Sequence, residues 1–151
     1  QFARLGRRLA RQAAACDADD VGIDAFELLS AVFSIGGNSE RPHRPGQIAW
    51  YAARVDAARE RMDTDFVSPH PLAALAADAG MSSFHFARVF AELTGGPPHA
   101  YLLAIRHAAA ARMLRDGAPV TETALACGFG NLSHFIRSFR RRFGVLPSRF
   151  K

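Results

Sequence analysis

The chain has 151 residues, 49% hydrophobic and 22% charged, enough for one or two small domains with their own core. No apolar run reaches the length of a membrane span, and Gln1-Phe2-Ala3-Arg4 leads into an arginine-studded stretch rather than a secretory apolar segment. Residues 1–46 hold six Arg against six Asp or Glu, and residues 47–151 hold thirteen Lys or Arg against eight acids, so the whole net charge of +5 lies in the second part.

The basic residues are densest at Arg137, Arg140, Arg141, Arg142, Arg149 and Lys151. That concentration favours a polyanion partner, the alternative being a solvated helix face. Cys16 and Cys127 are far apart and have no CxxC partner, which fits a reducing cytoplasm and needs no disulfide. Cys127 lies in an apolar string and reads as a buried thiol. Asp17, Asp19 and Asp20 beside Cys16 would raise its pKa rather than activate it.

The elements read as helices almost throughout. Phe2, Leu5 and Leu9 recur at helical spacing up to about Ala15, and Asp24 is placed to cap a second helix running to about Phe33. Residues 1–35 therefore read as an amphipathic helical hairpin that needs a further surface to cover it. Residues 36–46, rich in Gly, Pro, Ser and charge, read as a linker. A longer helix follows from about Gln47 to Asp65, with Ile48, Tyr51, Val55, Ala58 and Met62 as its apolar stripe. Pro69 and Pro71 end that segment.

Beyond it the chain repeats itself. The segment LAALAADAGMSSFHFARVFAELTGGPPHAYL from Leu72 matches VTETALACGFGNLSHFIRSFRRRFGVLPSRF from Val120. Gly80 pairs with Gly128 at a shift of 48; Phe86 with Phe135, Arg88 with Arg137, Phe90 with Phe139, Gly95 with Gly144 and Pro98 with Pro147 follow at 49. One residue inserted in the second turn accounts for the change, and the pattern reads as an internal duplication. Each copy offers a short alanine-rich helix, a glycine turn and a longer helix, with Ser82 or Asn131 where an N-cap is wanted. The aromatics four residues apart make a buried stripe and so fix which face of each second helix looks outward. Between the copies a helix from about Pro98 to Arg115 is stopped by Asp116-Gly117. At 1.5 Å per residue it spans roughly 25 Å. Two units held that far apart could reach major-groove segments about 34 Å apart on one face of DNA.

The stretches GMSSFHFARVFAELTG, PPHAYLLAIRHAAAARMLRDG and ALACGFGNLSHFIRSFRRRFGVLPSRF resemble the DNA-binding domain of the AraC/XylS family of bacterial transcription regulators, over about Val55 to Lys151. The resemblance implies an all-α fold: two helix-turn-helix subdomains, at about 71–94 and 119–143, joined by a long central helix at about 98–115 and preceded here by the helical hairpin. It implies double-stranded DNA as the partner, with RNA polymerase as a further one. Many members carry a ligand-sensing β-barrel followed by dimerising helices upstream. With the missing initiator Met, this predicts that the chain is a C-terminal fragment, its effector site in an absent N-terminal domain and residues 2–33 a homodimer element.

By analogy with the family, base edges would be met in the first recognition helix by Phe84, Ala87 and Arg88, beginning near Ser83. The matching positions in the second are Leu132, Ser133, Ile136 and Arg137. Arg88 and Arg137 could each pair two donors with a guanine. The alternative for Arg88 is an ion pair with Glu92. Phe84 and Ala87 offer apolar contact, as with a thymine methyl, where family members often carry polar residues. Leu132 and Ile136 are either partner-facing or part of the core. Ser82 and Asn131 are caps first and phosphate ligands second. Of Arg140, Arg141 and Arg142, one or two would touch phosphate, since consecutive helical residues point 100° apart. His85 and His134 stand at equivalent places and would either meet phosphate or pack beside the aromatic stripe. No further ligand at metal-binding spacing accompanies them, so neither metal nor cofactor is expected. The remaining histidines look isolated. No catalytic triad, phosphate loop or metal motif appears, so an enzyme, including an alkyl-accepting repair protein, is not expected. The rival reading is a helical protein-interaction module.

Overall fold

A computed structural model describes residues 45–150, and the expected hairpin and nearly all of the linker lie outside them. The described residues form six α-helices and one 3-10 turn: α1 (Pro45–Thr64), α2 (Leu72–Asp78), α3 (Ser83–Thr94), α4 (Pro98–Arg115), α5 (Val120–Ala126), α6 (Leu132–Phe143) and the turn Pro147–Arg149. No strand occurs among them, so the class is all-α as the sequence implies.

The duplication is visible residue by residue. Four residues connect α2 to α3, and five connect α5 to α6. In both turns a glycine in the left-handed region follows the short helix, Gly80 at φ 67° and Gly128 at φ 79°. Each allows the next amide to reach back to a helical carbonyl, Met81 N to Ala76 O at 2.9 Å and Phe129 N to Ala124 O at 3.0 Å. Ser82 and Asn131 then cap the second helices by accepting from the amides of His85 (3.3 Å) and His134 (3.1 Å). Gly95 and Gly144 end those helices in the left-handed conformation. Pro98 opens α4, and its counterpart Pro147 opens the 3-10 turn.

Two cores result. The first joins Tyr51, Val55, Ala58 and Met62 of α1 to Leu75, Phe86, Val89 and Phe90 of α2 and α3. The second joins Ala110 and Leu114 of α4 to Ala124, Phe129, Phe135 and Phe139. Leu103, His107, Ala110 and Leu114 on α4 repeat the 4-3-4 spacing of Tyr51, Val55, Ala58 and Met62 on α1, and all four face the second core. The repeated unit is therefore three helices, not two. Each helix-turn-helix is too short to bury its own aromatic stripe and borrows the helix before it. The expected stripe on α1 is corrected at one point: Ile48 is 46% exposed, and burial begins at Tyr51.

Candidate nucleic-acid interface

Burial of Phe86, Val89 and Phe90 on one side of α3 leaves Phe84, Ala87 and Arg88 on the other, because 3.6 residues make a turn. Phe84 is 60% exposed at the second residue of the helix, unusual for a phenylalanine. Ser83 and Ala87 are half-buried. The Arg88 side chain, 34% exposed, lies along the helix with Nε 3.6 Å from a Glu92 carboxylate oxygen, so the ion pair weighed against a DNA role is present. A surface pair of this kind is worth only about 0.3–0.5 kcal/mol and yields readily to a better anion.

On α6 the buried residues are Phe135, Ser138 and Phe139. Ser133, Arg137, Arg140 and Arg141 are exposed, and Leu132 is 39% exposed. Ile136 is half-buried and packs against the second core. Of the two roles open to it, packing is the one its surroundings provide. Arg142 is exposed as well, but its guanidinium lies 5.8 Å from the Phe143 ring centroid, so Arg140 and Arg141 are the two of the run without a ring contact of this kind to their own helix end. The three arginines also stand in the last turn of α6, where cations complement the helix dipole.

The paired histidines do not play matching parts. His85 sits with Nε2 3.0 Å from the Tyr51 hydroxyl and its ring edge-on to that tyrosine, tying α3 to α1. A phosphate role for His85 through Nε2 would compete with that tie. His134 is half-buried, its ring 6.1 Å from Phe129. Ser82 and Asn131 act as caps, Ser82 exposed and Asn131 half-buried at the helix start.

Two residues that the sequence reading passed over matter to the site's construction. His107 looked isolated, yet it is 2% exposed among Phe129, Phe135, Phe139 and Phe143, with Nε2 3.0 Å from Ser138 Oγ. Its place in the 4-3-4 stripe of α4 was the available signal. Arg106, beside it, donates to backbone carbonyls between α1 and α2. Nothing local marks that reach, which spans about forty residues of sequence. Cys127 is buried, its sulfur 3.8 Å from that of Met113, and burial pushes its thiol pKa up. A thiol kept protonated in this way is the reverse of an activated nucleophile.

The geometry thus defines a class: paired helix-turn-helix units, each presenting an arginine at the same position of its second helix. Residues 75–151 match the family model described as "Helix-turn-helix domain", and the chain belongs to this family, of the AraC/XylS type. Over 83 residues it is 40% identical to the HTH-type transcriptional regulator Rv1931c of Mycobacterium tuberculosis, a match covering 54% of this chain and 32% of that protein. The chain therefore spans about a third of that relative's length. Among solved structures it is similar to a probable AraC family transcriptional regulator from Rhodopseudomonas palustris (35% identity, TM-score 0.59, 65% of this chain and 94% of that one). It is similar too to the DNA-binding domain of AdpA, a global transcriptional factor solved with a target DNA (33% identity, TM-score 0.54, 65% and 86% covered).

Proposed function

We propose that this chain binds double-stranded DNA sequence-specifically to regulate bacterial transcription, with α3 and α6 in successive major-groove segments. The observation that carries the reading is the equivalence of Arg88 and Arg137. Both follow a glycine turn and an N-cap, both lie opposite a buried Phe pair, and both stand on the side of the helix away from the core. Base readout by α3 falls to Arg88 with apolar help from Phe84 and Ala87, and by α6 to Arg137 with Ser133 and Leu132. Ser83, beside Phe84 at the start of α3, is close enough to the helix N-terminus to meet phosphate. Arg140 and Arg141 supply phosphate contacts.

The roles separate experimentally. Arg88→Ala and Arg137→Ala should each weaken binding to the preferred duplex by about 1–3 kcal/mol and relax discrimination at one base pair. Arg140→Gln and Arg141→Gln should instead weaken all duplexes alike and lower the salt slope by about one unit each. Selection from a random duplex library followed by titration at several salt concentrations distinguishes these patterns. A footprint confined to one major-groove segment would sink the bipartite reading.

The regulatory setting is part of the same proposal, supported by likeness to the family. The effector site belongs to a sensor domain upstream, RNA polymerase is a further partner, residues 2–33 make a homodimer contact, and the protein works in the cytoplasm where the chromosome is. Deleting residues 2–33 and measuring mass in solution tests the dimer. No catalytic role is proposed: among the described residues the one cysteine is the buried Cys127. No helix among those residues is long and apolar enough to cross a membrane.

A further inference from the structure

The Arg106 side chain leaves α4 and grips the segment connecting α1 to α2. Its Nε donates to Phe66 O at 2.7 Å, and one Nη donates to Val67 O at 3.1 Å and Ser68 O at 3.0 Å. A guanidinium is suited to this task, since its donors sit in a rigid fork and its charge strengthens each bond. The same segment is held from the opposite unit. Gly128, in the α5–α6 turn, lies so close to the Val67 backbone that a β-carbon there would collide with the Val67 carbonyl. Phe66 packs against both cores, the only residue among those described to join the two clusters. Residues 66–68 are thus clasped by the linker helix, the first core and the second turn together.

A long helix by itself fixes the separation of two units but leaves a soft angle at its ends. The clasp removes that freedom: α1–α2, α4 and the α5–α6 turn meet at one segment, so α3 cannot swing relative to α6 without breaking it. We infer that Arg106 is a positioning residue that sets the half-site spacing this protein accepts, by locking the register between its two recognition helices. The inference rests on the bipartite reading given under Proposed function.

One added base pair moves a half-site by about 3.4 Å along the axis and rotates it by roughly 35°. A rigid pair of helices cannot follow that displacement, whereas a loosened pair can. The full chain should therefore bind a series of duplexes with one preferred spacing, losing on the order of tenfold affinity for each base pair added or removed. Each such loss corresponds to about 1.4 kcal/mol. Arg106→Ala should flatten this profile to within about threefold while keeping its affinity for an isolated half-site. Arg106→Lys, which keeps the charge but not the fork, should fall between. A role in stability alone would lower all affinities together and leave the profile's shape unchanged.

A second measurement needs no DNA. Spin labels on Ala77→Cys in α2 and Glu122→Cys in α5, both exposed positions, report the distance between the units in a chain carrying Cys16→Ser, with Cys127 buried away from label. Arg106→Ala and Arg106→Lys should broaden that distance distribution. If the unsubstituted chain shows no spacing preference, the bipartite reading fails. If it does, and the folded Arg106 variants keep both the profile and the narrow distribution, the clasp is overturned.

Discussion

Alanine at Gly128 is expected to destabilise the protein by about 3–5 kcal/mol, against about 1 kcal/mol for the same change at Gly80. The two glycines occupy equivalent turns with nearly equal φ angles, 79° and 67°, so the conformational penalty of an added side chain is shared. Their surroundings differ. Around Gly80 a β-carbon would meet nothing within 4 Å, whereas at Gly128 it would strike the backbone of Val67. A flexible side chain could step aside, but Val67 is held by the Arg106 clasp, so relief requires the segment between α1 and α2 to move. Denaturant unfolding of the two variants beside the parent gives the comparison directly. Equal losses would mean that the Val67 segment yields at no cost, which would also weaken the case for a rigid clasp.

The second large effect is on acid stability. Ser138 Oγ lies within donating distance of the carbonyls of His134 (2.8 Å) and Phe135 (3.2 Å), so its oxygen is left to accept from His107 Nε2, which fixes the tautomer of the neutral ring. Stacked on Phe129 and walled by three more phenylalanines, the ring has little to solvate a charge. Burial first, then the positive neighbours Arg142, His134 and Arg141, push the His107 pKa down to about 4. The unfolded chain binds this proton near the ordinary value of about 6.5. Between the two values the unfolded state holds a proton that the folded state refuses. The stabilisation is complete above about pH 6.5 and drains away as pH falls towards about 4, by about 2–3 kcal/mol in all. Urea midpoints measured from pH 7 to pH 4 should fall more steeply for the parent than for His107→Leu, the other histidines cancelling between the two. Parallel curves would show that the folded chain protonates His107 without penalty.

Much of the design is local, and local chemistry is legible in a sequence. Gly80, Gly95, Gly128 and Gly144 announced their turns because left-handed backbone selects glycine at the position itself. Ser82 and Asn131 announced their caps because the hydrogen bond closes within three residues. The Phe86/Phe90 and Phe135/Phe139 pairs told which face of α3 and α6 is buried, hence where Arg88 and Arg137 point, because helical periodicity converts spacing into direction. The duplicated helix-turn-helix followed from these signals and needed no long-range contact.

Tertiary structure alone decided the rest. Ile48 has the spacing of a core residue but precedes the point at which another of the described elements covers α1, so it stays exposed among them. Ile136 and Ala87 stand at matching positions, yet Ile136 is drawn against the second core by its bulk. The 4-3-4 stripe of α4 points His107 at a core, but that it is a buried neutral base follows only from α6 closing over it. The widest reach belongs to Arg106, whose partners are backbone carbonyls some forty residues away. Backbone carbonyls carry no sequence signature, since every residue has one. The sequence thus determines two matched recognition helices and the faces they present. Their fixed placement relative to each other comes from the packing of the Phe66–Ser68 segment between the two units, a contact that exists only once both have folded.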